Sequence, residues 1–211
     1  MPLAASVRLF GTAFANGQPS FCLMTPSDKK SLRAQMRARR RALNPAERSA
    51  AAERFATAIW PRLQPAAIRH IAVYLAFDGE LDPAPLVRRL WAAGKRVYLP
   101  VVTRLAPRRL WFREYRPDSR LQPNRFGIPE PVTGPLWPSR MLDVVLLPLT
   151  AFDASGTRLG MGGGFYDRTF SGRRHTGWRR PRLIGVGYRW QQVSALVREP
   201  HDVPVQAIVT D

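Results

Sequence analysis

The sequence predicts an α/β fold of the Rossmann-like kind, a three-layer αβα arrangement. Its sheet is expected to be mostly parallel with helices on both faces, and a pair of helices precedes it. From residue 68 onward, short apolar runs alternate with amphipathic segments, which is typical of parallel strands linked by helices. Hydrophobic residues make up 45% of the 211 residues, enough for a globular core. A glycine-rich segment follows one apolar run, at the end of a strand, where such sheets bind ligands.

Two helices are predicted before the sheet. The first covers residues 28–43, because apolar side chains recur there on one helical face. The second covers residues 45–60, because Asn44 is a favourable cap, Pro45 suits the first helical position and Glu47 can complete a capping box.

The apolar runs of the remaining chain predict the sheet. We expect strands at residues 71–75, 96–100, 110–115, 144–147, 183–187 and 207–209. The strand at 110–115 is expected at an edge. One helix is predicted from Pro83 to the stop signal at Gly94, and a short one at residues 166–171. Residues 117–140 are rich in proline and predict an ordered loop, and residues 171–181 predict an exposed loop.

The net charge is strongly positive, because 33 Lys and Arg residues face 15 Asp and Glu residues, giving +18. An excess of this size favours an anionic partner such as nucleic acid, acidic lipid or a phosphorylated ligand. Arginine far outnumbers lysine and is spread along the chain, which a gene of high GC content explains equally well. Charge alone therefore leaves the function open.

Several features of the sequence exclude classes of protein. Cys22 is the single cysteine, which excludes an internal disulfide and a cysteine-rich zinc site. No apolar run approaches the roughly 20 residues that span a bilayer, and we expect a cytoplasmic protein. Residues 1–27 predict a disordered extension, or an upstream start with Met24 as the true initiator. Residues 28–211 are predicted to form a single α/β domain.

The most informative segment covers residues 158–168, with the sequence RLGMGGGFYDR. Four glycines in five positions leave backbone N–H groups open to a polyanion, and arginines and an aspartate flank them. These are the groups needed to hold phosphates and a magnesium ion. The spacing fits neither a P-loop nor a dinucleotide fingerprint, and a glycine-rich surface turn is the alternative. The loop at residues 78–80 follows another strand, so it is expected to line the same site.

This segment belongs to an ordered set of motifs that resembles the 5-formyltetrahydrofolate cyclo-ligases, also called 5,10-methenyltetrahydrofolate synthetases. The resemblance extends from residue 29 to residue 211. The blocks that carry it are residues 29–33, 74–75 with 80, 94–100, 126–131, 152–156, 158–168, 201–202 and 209–211. A glycine loop alone is weak evidence, whereas this set in this order is specific.

The resemblance implies ATP-dependent closure of 5-formyltetrahydrofolate to 5,10-methenyltetrahydrofolate, with release of ADP and phosphate. A formamide oxygen is a poor leaving group, so transfer of the γ-phosphoryl group must first convert it into a phosphate ester. The N10 amine of the substrate then attacks, the ring closes and phosphate departs. Positioning and charge neutralisation dominate such a reaction, and no nucleophilic triad is expected.

The same resemblance implies the residues that bind ATP and magnesium. The residues matched to ATP are Lys29, Arg33, Arg158, Gly160, Gly162, Gly163, Gly164 and Tyr166. Arg158 and Tyr166 are also the expected catalytic residues, since Tyr166 matches an aromatic residue that supports the folate or the reacting group. Asp167 and Asp202 match the magnesium positions, and hard carboxylate oxygens suit Mg²⁺.

Four residues are matched to the folate: Leu75, Glu80, Met161 and Phe165. Glu80 resembles the acid that binds the pterin, where a carboxylate accepts hydrogen bonds from ring N–H groups. Some members carry tyrosine at position 165 and arginine and lysine at positions 161 and 163. Bacterial members often have the Met-Gly-Gly-Gly form found here.

Two other functions stay open at this point. One is an ATP-dependent ligase of the same fold with a non-folate substrate, for which Glu80 is the discriminating residue. The other is a basic nucleic-acid-binding module, which gives no reason for Asp167 and Asp202, because carboxylates repel phosphate backbones. The cyclo-ligase interpretation predicts 5-formyltetrahydrofolate, with or without a polyglutamate tail, as the partner. It predicts ATP and Mg²⁺ as cofactors, a monomer, and no nucleic acid or membrane partner.

Overall fold

The computed structural model describes residues 26–103, 106, 108–172 and 180–211. The helices are α1 (Pro26–Ala42), α2 (Pro45–Leu63), α3 (Ala84–Ala92) and α4 (Phe165–Phe170). The strands are β1 (His70–Ala72), β2 (Arg96–Val102), β3 (Leu110–Glu114), β4 (Leu121–Pro123), β5 (Pro129–Pro131), β6 (Val144–Pro148), β7 (Ala151–Phe152), β8 (Arg158–Leu159), β9 (Arg182–Val186) and β10 (Ala207–Val209). Single 3-10 turns lie at Ser139–Met141 and Arg189–Gln191.

Two predicted segments fall largely outside this part of the chain. The predicted N-terminal extension of residues 1–27 lies outside it except for the first two residues of α1, and most of the predicted loop at 171–181 lies outside it as well. Among the described residues, no helix combines the length and the apolar character needed to cross a membrane.

Six strands form the main sheet in the order β10-β9-β6-β1-β2-β3. The first five strands are parallel, and β3 pairs antiparallel with β2 at the edge. The mostly parallel sheet and the edge position of β3 agree with the sequence prediction. Since β1 pairs with β2 on one side and β6 on the other, the connections after β1 and β6 leave in opposite directions. Such a switch point opens a crevice at the carboxyl ends of the strands.

Apolar side chains cover both faces of the sheet. On one face, Ile59 of α2 and Leu86 of α3 are fully buried together with Leu146 of the central strand β6. On the other face, Phe170 of α4 packs with buried residues of the connecting segments, among them Val203. Helices therefore lie on both faces, as predicted, but in the described part of the chain the second layer consists of one short α-helix and connecting segments.

The second helix begins where its capping residues predict. The backbone N–H of Glu47 donates to the Asn44 side-chain oxygen at 2.9 Å. In return, the backbone N–H of Asn44 donates to the Glu47 carboxylate at 2.9 Å. The helix continues to Leu63 rather than ending near residue 60, although Pro61 lies within it. Burial of the Leu63 side chain against the core favours this extra turn.

Two strand boundaries differ from the prediction. The strand predicted at 71–75 ends at Ala72. Beyond it, the Tyr74 hydroxyl donates a hydrogen bond to the Leu81 carbonyl at 2.5 Å, which ties the chain into a loop. The strand predicted at 96–100 extends to Val102, because Val102 still pairs with Leu110 of β3.

Two small antiparallel ribbons correct the prediction further. The segment 117–140, predicted as a loop, contains the pair β4–β5, whose turn is closed by a 2.9 Å hydrogen bond from the Asn124 amide to the Ile128 carbonyl. Gly127 in this turn has a φ of 77°. The pair β7–β8 separates β6 from the glycine-rich segment, which was expected to follow the strand directly. These ribbons could not be predicted, because their strands are too short, or too interrupted by proline, to show the alternation of apolar and polar residues that indicates a strand.

The central position of β6 predicts how the fold responds to truncation. Leu146→Ala should lower the free energy of unfolding by about 2–5 kcal/mol, because it removes a fully buried side chain and leaves a cavity. Met141→Ala is the control, because Met141 is 50% exposed and should change the stability by less than about 0.5 kcal/mol. Urea unfolding measures both, and equal effects of the two substitutions would contradict this description of the core.

Candidate functional site

Two adjoining cavities open at the carboxyl ends of the central strands. The first, of about 480 Å³, has mostly apolar walls and is called the apolar cavity. The second, of about 330 Å³, is lined by lysine, arginine and acidic residues and is called the basic cavity. Met161, Gly164 and Phe165 line both. The segment predicted to bind phosphates is therefore the wall between two sites of opposite character.

The apolar cavity is built from the loop after β1, from β2 and from the turn between β4 and β5. Leu75, Phe77, Pro100 and Phe126 are among its apolar lining residues, and Glu80 is its acid. The side chains of Phe77 and Phe126 are partly exposed at its mouth. The Phe126 ring meets Phe165 edge-on at a centroid distance of 5.6 Å. This shape fits a flat ring system that needs one charged or polar anchor.

Glu80 is a carboxylate in apolar surroundings. Its side chain is 9% exposed, and its Oε2 accepts a hydrogen bond from the Phe77 amide at 3.2 Å. Burial is the largest influence and raises the pKa of Glu80 to about 7, against the opposing effect of the nearby Arg40 guanidinium. The carboxylate is thus held close to the midpoint of its titration at neutral pH.

The loop that carries Glu80 is attached to α1 through Asp78. Arg37 donates to Asp78 at 2.5 Å, and Arg41 donates to its other carboxylate oxygen. Partial burial acts to raise the pKa of Asp78, but these hydrogen bonds outweigh it and hold the pKa below its ordinary value. Asp78 has a φ of 53°, and the Cβ of any residue replacing Gly79 would lie 3.0 Å from the Arg40 carbonyl oxygen. Backbone conformation and close approach thus both fix this loop.

The glycine loop, defined as residues 160–164, is held by its carbonyl oxygens. Arg33 of α1 donates from Nε to the Gly160 carbonyl at 2.9 Å, and Arg168 donates to the Gly163 carbonyl. Gly162 and Gly164 have φ values of 98° and 61°, which disfavour any other residue. Among the described residues, the amide N–H groups of this loop from 161 to 164 have no hydrogen-bond partner. Such groups suit an anion.

The basic cavity brings together the predicted phosphate and metal residues. Lys29 of α1 forms an ion pair with Glu199 at 2.7 Å, and Arg158 forms one with Asp167 at 2.5 Å. Asp167 also accepts a hydrogen bond from the Val203 amide at 3.0 Å. Lys29, Arg33, Arg158, Gly160, Gly162, Gly164, Asp167 and Asp202 all line this cavity.

The donor set of the basic cavity fits Mg²⁺. Asp167 and Asp202 present two carboxylates to it, and the described residues contain no group of three or more His, Cys, Asp or Glu that could hold a metal. Mg²⁺ is commonly bound by one or two carboxylates together with substrate phosphates, so it does not need a larger protein cage. The Asp202 side chain is itself oriented by a 2.8 Å hydrogen bond from the Glu199 amide.

Two predicted ATP residues lie elsewhere. Gly163 lines the apolar cavity rather than the basic one, because the loop turns between them. Tyr166 lines neither of these two cavities; it packs against the core beneath the glycine loop. Burial raises the pKa of the Tyr166 hydroxyl, and the Glu80 charge adds to the effect. The structure thus places Tyr166 under the site, and its catalytic and ATP-binding roles stay predictions.

The sequence alone does not reveal the acidic and basic residues that connect the loops to α1. Arg37 and Arg41 flank the apolar face of the predicted first helix, where a solvated helix surface explains them, and nothing in the sequence distinguishes Arg40. Asp78 was recognised only as part of a loop. Their spacing of three and four residues puts the arginines on one side of a helix, but only tertiary structure brings Asp78 to them.

The chain is similar to known proteins over most of its length. A model of the 5-formyltetrahydrofolate cyclo-ligase family matches residues 25–211. The 5-formyltetrahydrofolate cyclo-ligase of Escherichia coli (strain K12) is 43% identical over 178 residues, which are 83% of this chain and 96% of the relative. That of Mycolicibacterium smegmatis is 34% identical over 194 residues, covering 89% and 95%.

Solved structures show the same fold. The NMR structure of Aquifex aeolicus 5,10-methenyltetrahydrofolate synthetase superposes with a TM-score of 0.72 at 28% identity, covering 86% of this chain and 88% of that one. The 5,10-methenyltetrahydrofolate synthetase of Mycoplasma pneumoniae gives a TM-score of 0.69 at 25% identity, covering 87% and 99%.

The environment of Glu80 predicts a pH dependence of stability. An acid whose pKa is raised by folding, here from 4.5 to about 7, stabilises the folded state below pH 4.5, and this contribution is lost as the pH rises through 7. Between pH 5.5 and 8.5, the wild type should lose on the order of 2 kcal/mol relative to Glu80→Gln, which carries no titrating group. Urea unfolding at both pH values measures the difference, and parallel pH profiles would refute the assignment.

Proposed function

The chain belongs to the 5-formyltetrahydrofolate cyclo-ligase family, and we propose from this premise that its two cavities hold the two substrates of the reaction. The enzyme closes 5-formyltetrahydrofolate to 5,10-methenyltetrahydrofolate at the expense of ATP. The apolar cavity binds the reduced folate, and the basic cavity binds the nucleotide. The observation that carries this division is the glycine loop, because its residues line both cavities and so lie where the two substrates must meet.

The folate is held by one polar anchor among apolar walls. The Glu80 carboxylate accepts hydrogen bonds from the N–H groups of the pterin ring, which are strong because the acceptor is charged. Leu75, Met161 and Phe165 pack on the ring system. The partly exposed rings of Phe77 and Phe126 line the mouth, where they suit the aromatic part of the substrate between pterin and glutamate.

The triphosphate is held by cations and by main-chain donors. Lys29, Arg33 and Arg158 supply positive charge, and the open N–H groups of the glycine loop supply hydrogen bonds. Lys29 forms an ion pair with Glu199, and in this proposal it exchanges this carboxylate for a phosphate when the nucleotide binds. Arg158 keeps its orientation through Asp167.

The reaction then requires few protein groups besides those that position the substrates. The formyl oxygen attacks the γ-phosphorus and ADP leaves. The substrate's N10 then attacks the formyl carbon, N10 loses its proton, and the C–O bond breaks with release of phosphate. Negative charge develops on the transferring group, next to Arg158 and the N–H groups of the glycine loop, which stabilise it without reorganisation. Tyr166 lines neither cavity, so in this proposal it supports this wall from the core side.

Mg²⁺ completes the proposed nucleotide site, held by Asp167 and Asp202. When bound, it neutralises charge on the phosphates. Asp167, which also pairs with Arg158, would hold the metal together with Asp202.

The alternatives receive less support. Glu80 in an apolar cavity gives a physical reason for a pterin ligand, which a non-folate ligase of the same fold would lack. A nucleic-acid module does not explain carboxylates beside the bare main chain of the glycine loop. A polyglutamate tail on the substrate, a monomeric state and a cytoplasmic location stay predictions from the sequence.

Separate sites for the two substrates predict separate kinetic effects. Glu80→Gln should raise the KM for 5-formyltetrahydrofolate about 10–100-fold, because charged hydrogen bonds are lost, and leave the KM for ATP within about twofold. Lys29→Met should raise the KM for ATP by a similar factor and leave the KM for 5-formyltetrahydrofolate within about twofold. The methenyl chromophore gives the rate. The exposed neighbour Lys30→Met is the control, and a substitution that raised both KM values equally would contradict the division of the cavities.

The proposed metal site predicts a change in magnesium requirement. Asp202→Asn should raise the Mg²⁺ concentration for half-maximal activity at least about tenfold, since a carboxylate ligand is lost. Asp118→Asn removes an exposed acid outside both cavities and should leave the requirement unchanged. An unaltered Mg²⁺ titration for both Asp202→Asn and Asp167→Asn would remove these two residues from the site.

A further inference from the structure

Arg40 is a fully buried arginine between the two loops of the site. Its side chain has no exposed surface, and its Nη2 lies 3.4 Å from an Asp78 oxygen and 3.7 Å from the Met161 sulfur. Its Nη1 lies 3.8 Å from Oε1 of Glu80, just beyond hydrogen-bond distance. Nε and Nη1 have no hydrogen-bond partner among the described residues. A buried guanidinium with two unused donors is costly, so its position calls for a compensating role.

Attachment of the loop does not account for Arg40. Arg37 and Arg41 already hold Asp78, each with a shorter contact than Arg40 makes, and their side chains are 40% and 61% exposed, so they carry little desolvation cost. Among these three arginines, Arg40 is the one that forms an ion pair with Glu80. Its unused Nη1 faces the acid that anchors the folate in the proposed function.

The groups around Glu80 otherwise oppose its ionisation. Asp78 of the same loop is an acid whose charge raises the pKa of Glu80, in the same direction as burial. Tyr74, which follows β1, and Tyr166 of α4 also interact with Glu80, but burial and the Glu80 charge raise the pKa of both hydroxyls, so they stay neutral. Arg40 of α1 is the cation that favours the charged form, assisted by the Phe77 amide. Removal of this cation would leave a neutral carboxylic acid at neutral pH, with one acceptor fewer for the pterin.

We propose that Arg40 is a positioning residue that favours the ionised form of Glu80 and orients it for the folate, and that its Nη1 closes onto Glu80 when the folate binds. The proposal rests on the proposed folate role of Glu80. It concerns the charge state and orientation of Glu80, since Arg40 is not among the residues that line either cavity.

The test compares Arg40→Met, Arg40→Gln and Arg40→Lys across pH 5.5–9. The two neutral variants should move the acid limb of kcat/KM upward by about one pH unit. This shift corresponds to a rise in the KM for 5-formyltetrahydrofolate of about fivefold at pH 7 and about tenfold at pH 5.5, where Glu80 is mostly protonated. The KM for ATP should stay within about twofold, and the defect should shrink toward pH 9. Arg40→Lys, which retains the charge, should recover most of the loss.

Arg37→Met and Arg41→Met are the matched controls, because they weaken the hold on Asp78 without removing a contact to Glu80. They should leave the acid limb in place. The proposal would be overturned if the acid limb of the kcat/KM profile lay at the wild-type pH in both Arg40→Met and Arg40→Gln. It would also be overturned if Arg41→Met shifted this limb equally. The two neutral variants differ in shape, so the test can still be made with one of them if the other does not fold.

A second readout separates this proposal from the proposed function. The ¹³C shift of the Glu80 carboxyl in the ligand-free protein reports its titration without any folate. A higher midpoint in Arg40→Gln than in wild type supports the action of Arg40, and an equal midpoint refutes it. A normal KM for folate in Glu80→Gln would instead refute the folate role of Glu80, whatever the titration shows.

Discussion

The site depends on the attachment of helix α1 to two loops that are distant from it in sequence. Arg33 binds the glycine loop at Gly160, and Arg37 and Arg41 bind the Glu80 loop at Asp78. Loops at strand ends are mobile unless they are tied down. One helix therefore fixes the distance between the glycine loop and the Glu80 loop, which are the proposed nucleotide and folate sites. Reaction between two bound substrates depends on that distance, because small errors of alignment cost large factors in rate.

The second constraint is the separation of polarity across a thin wall. The apolar cavity raises the pKa of Glu80 and gives the proposed folate site mostly apolar walls, whereas the basic cavity concentrates cations and main-chain donors that suit phosphates. A wall of bare main chain permits this contrast, because glycine residues let substrates approach from both sides. The positive φ values at Gly162 and Gly164 show why the loop cannot carry bulkier residues there.

Much of the fold and most of the site could be predicted from the sequence. Hydrophobic periodicity located the parallel strands, and the capping residues Asn44 and Glu47 located a helix start. The ribbons β4–β5 and β7–β8 escaped prediction because their strands have two or three residues and prolines interrupt the pattern. Arg40 escaped because burial of an arginine is a tertiary property. Its local sequence resembles a solvated helix face, and only the folded chain places it against Glu80.

The central claim is that the glycine loop lies between a folate held at Glu80 and a nucleotide held by the basic cavity. A crystal structure of the protein with 5-formyltetrahydrofolate and a non-hydrolysable ATP analogue tests it most directly. The account predicts pterin N–H groups within hydrogen-bond distance of Glu80. It also predicts the γ-phosphate on the N–H groups of the glycine loop, with the formyl oxygen about 3–3.5 Å from the phosphorus. A nucleotide bound away from this loop, or a pterin bound without contact to Glu80, would contradict it.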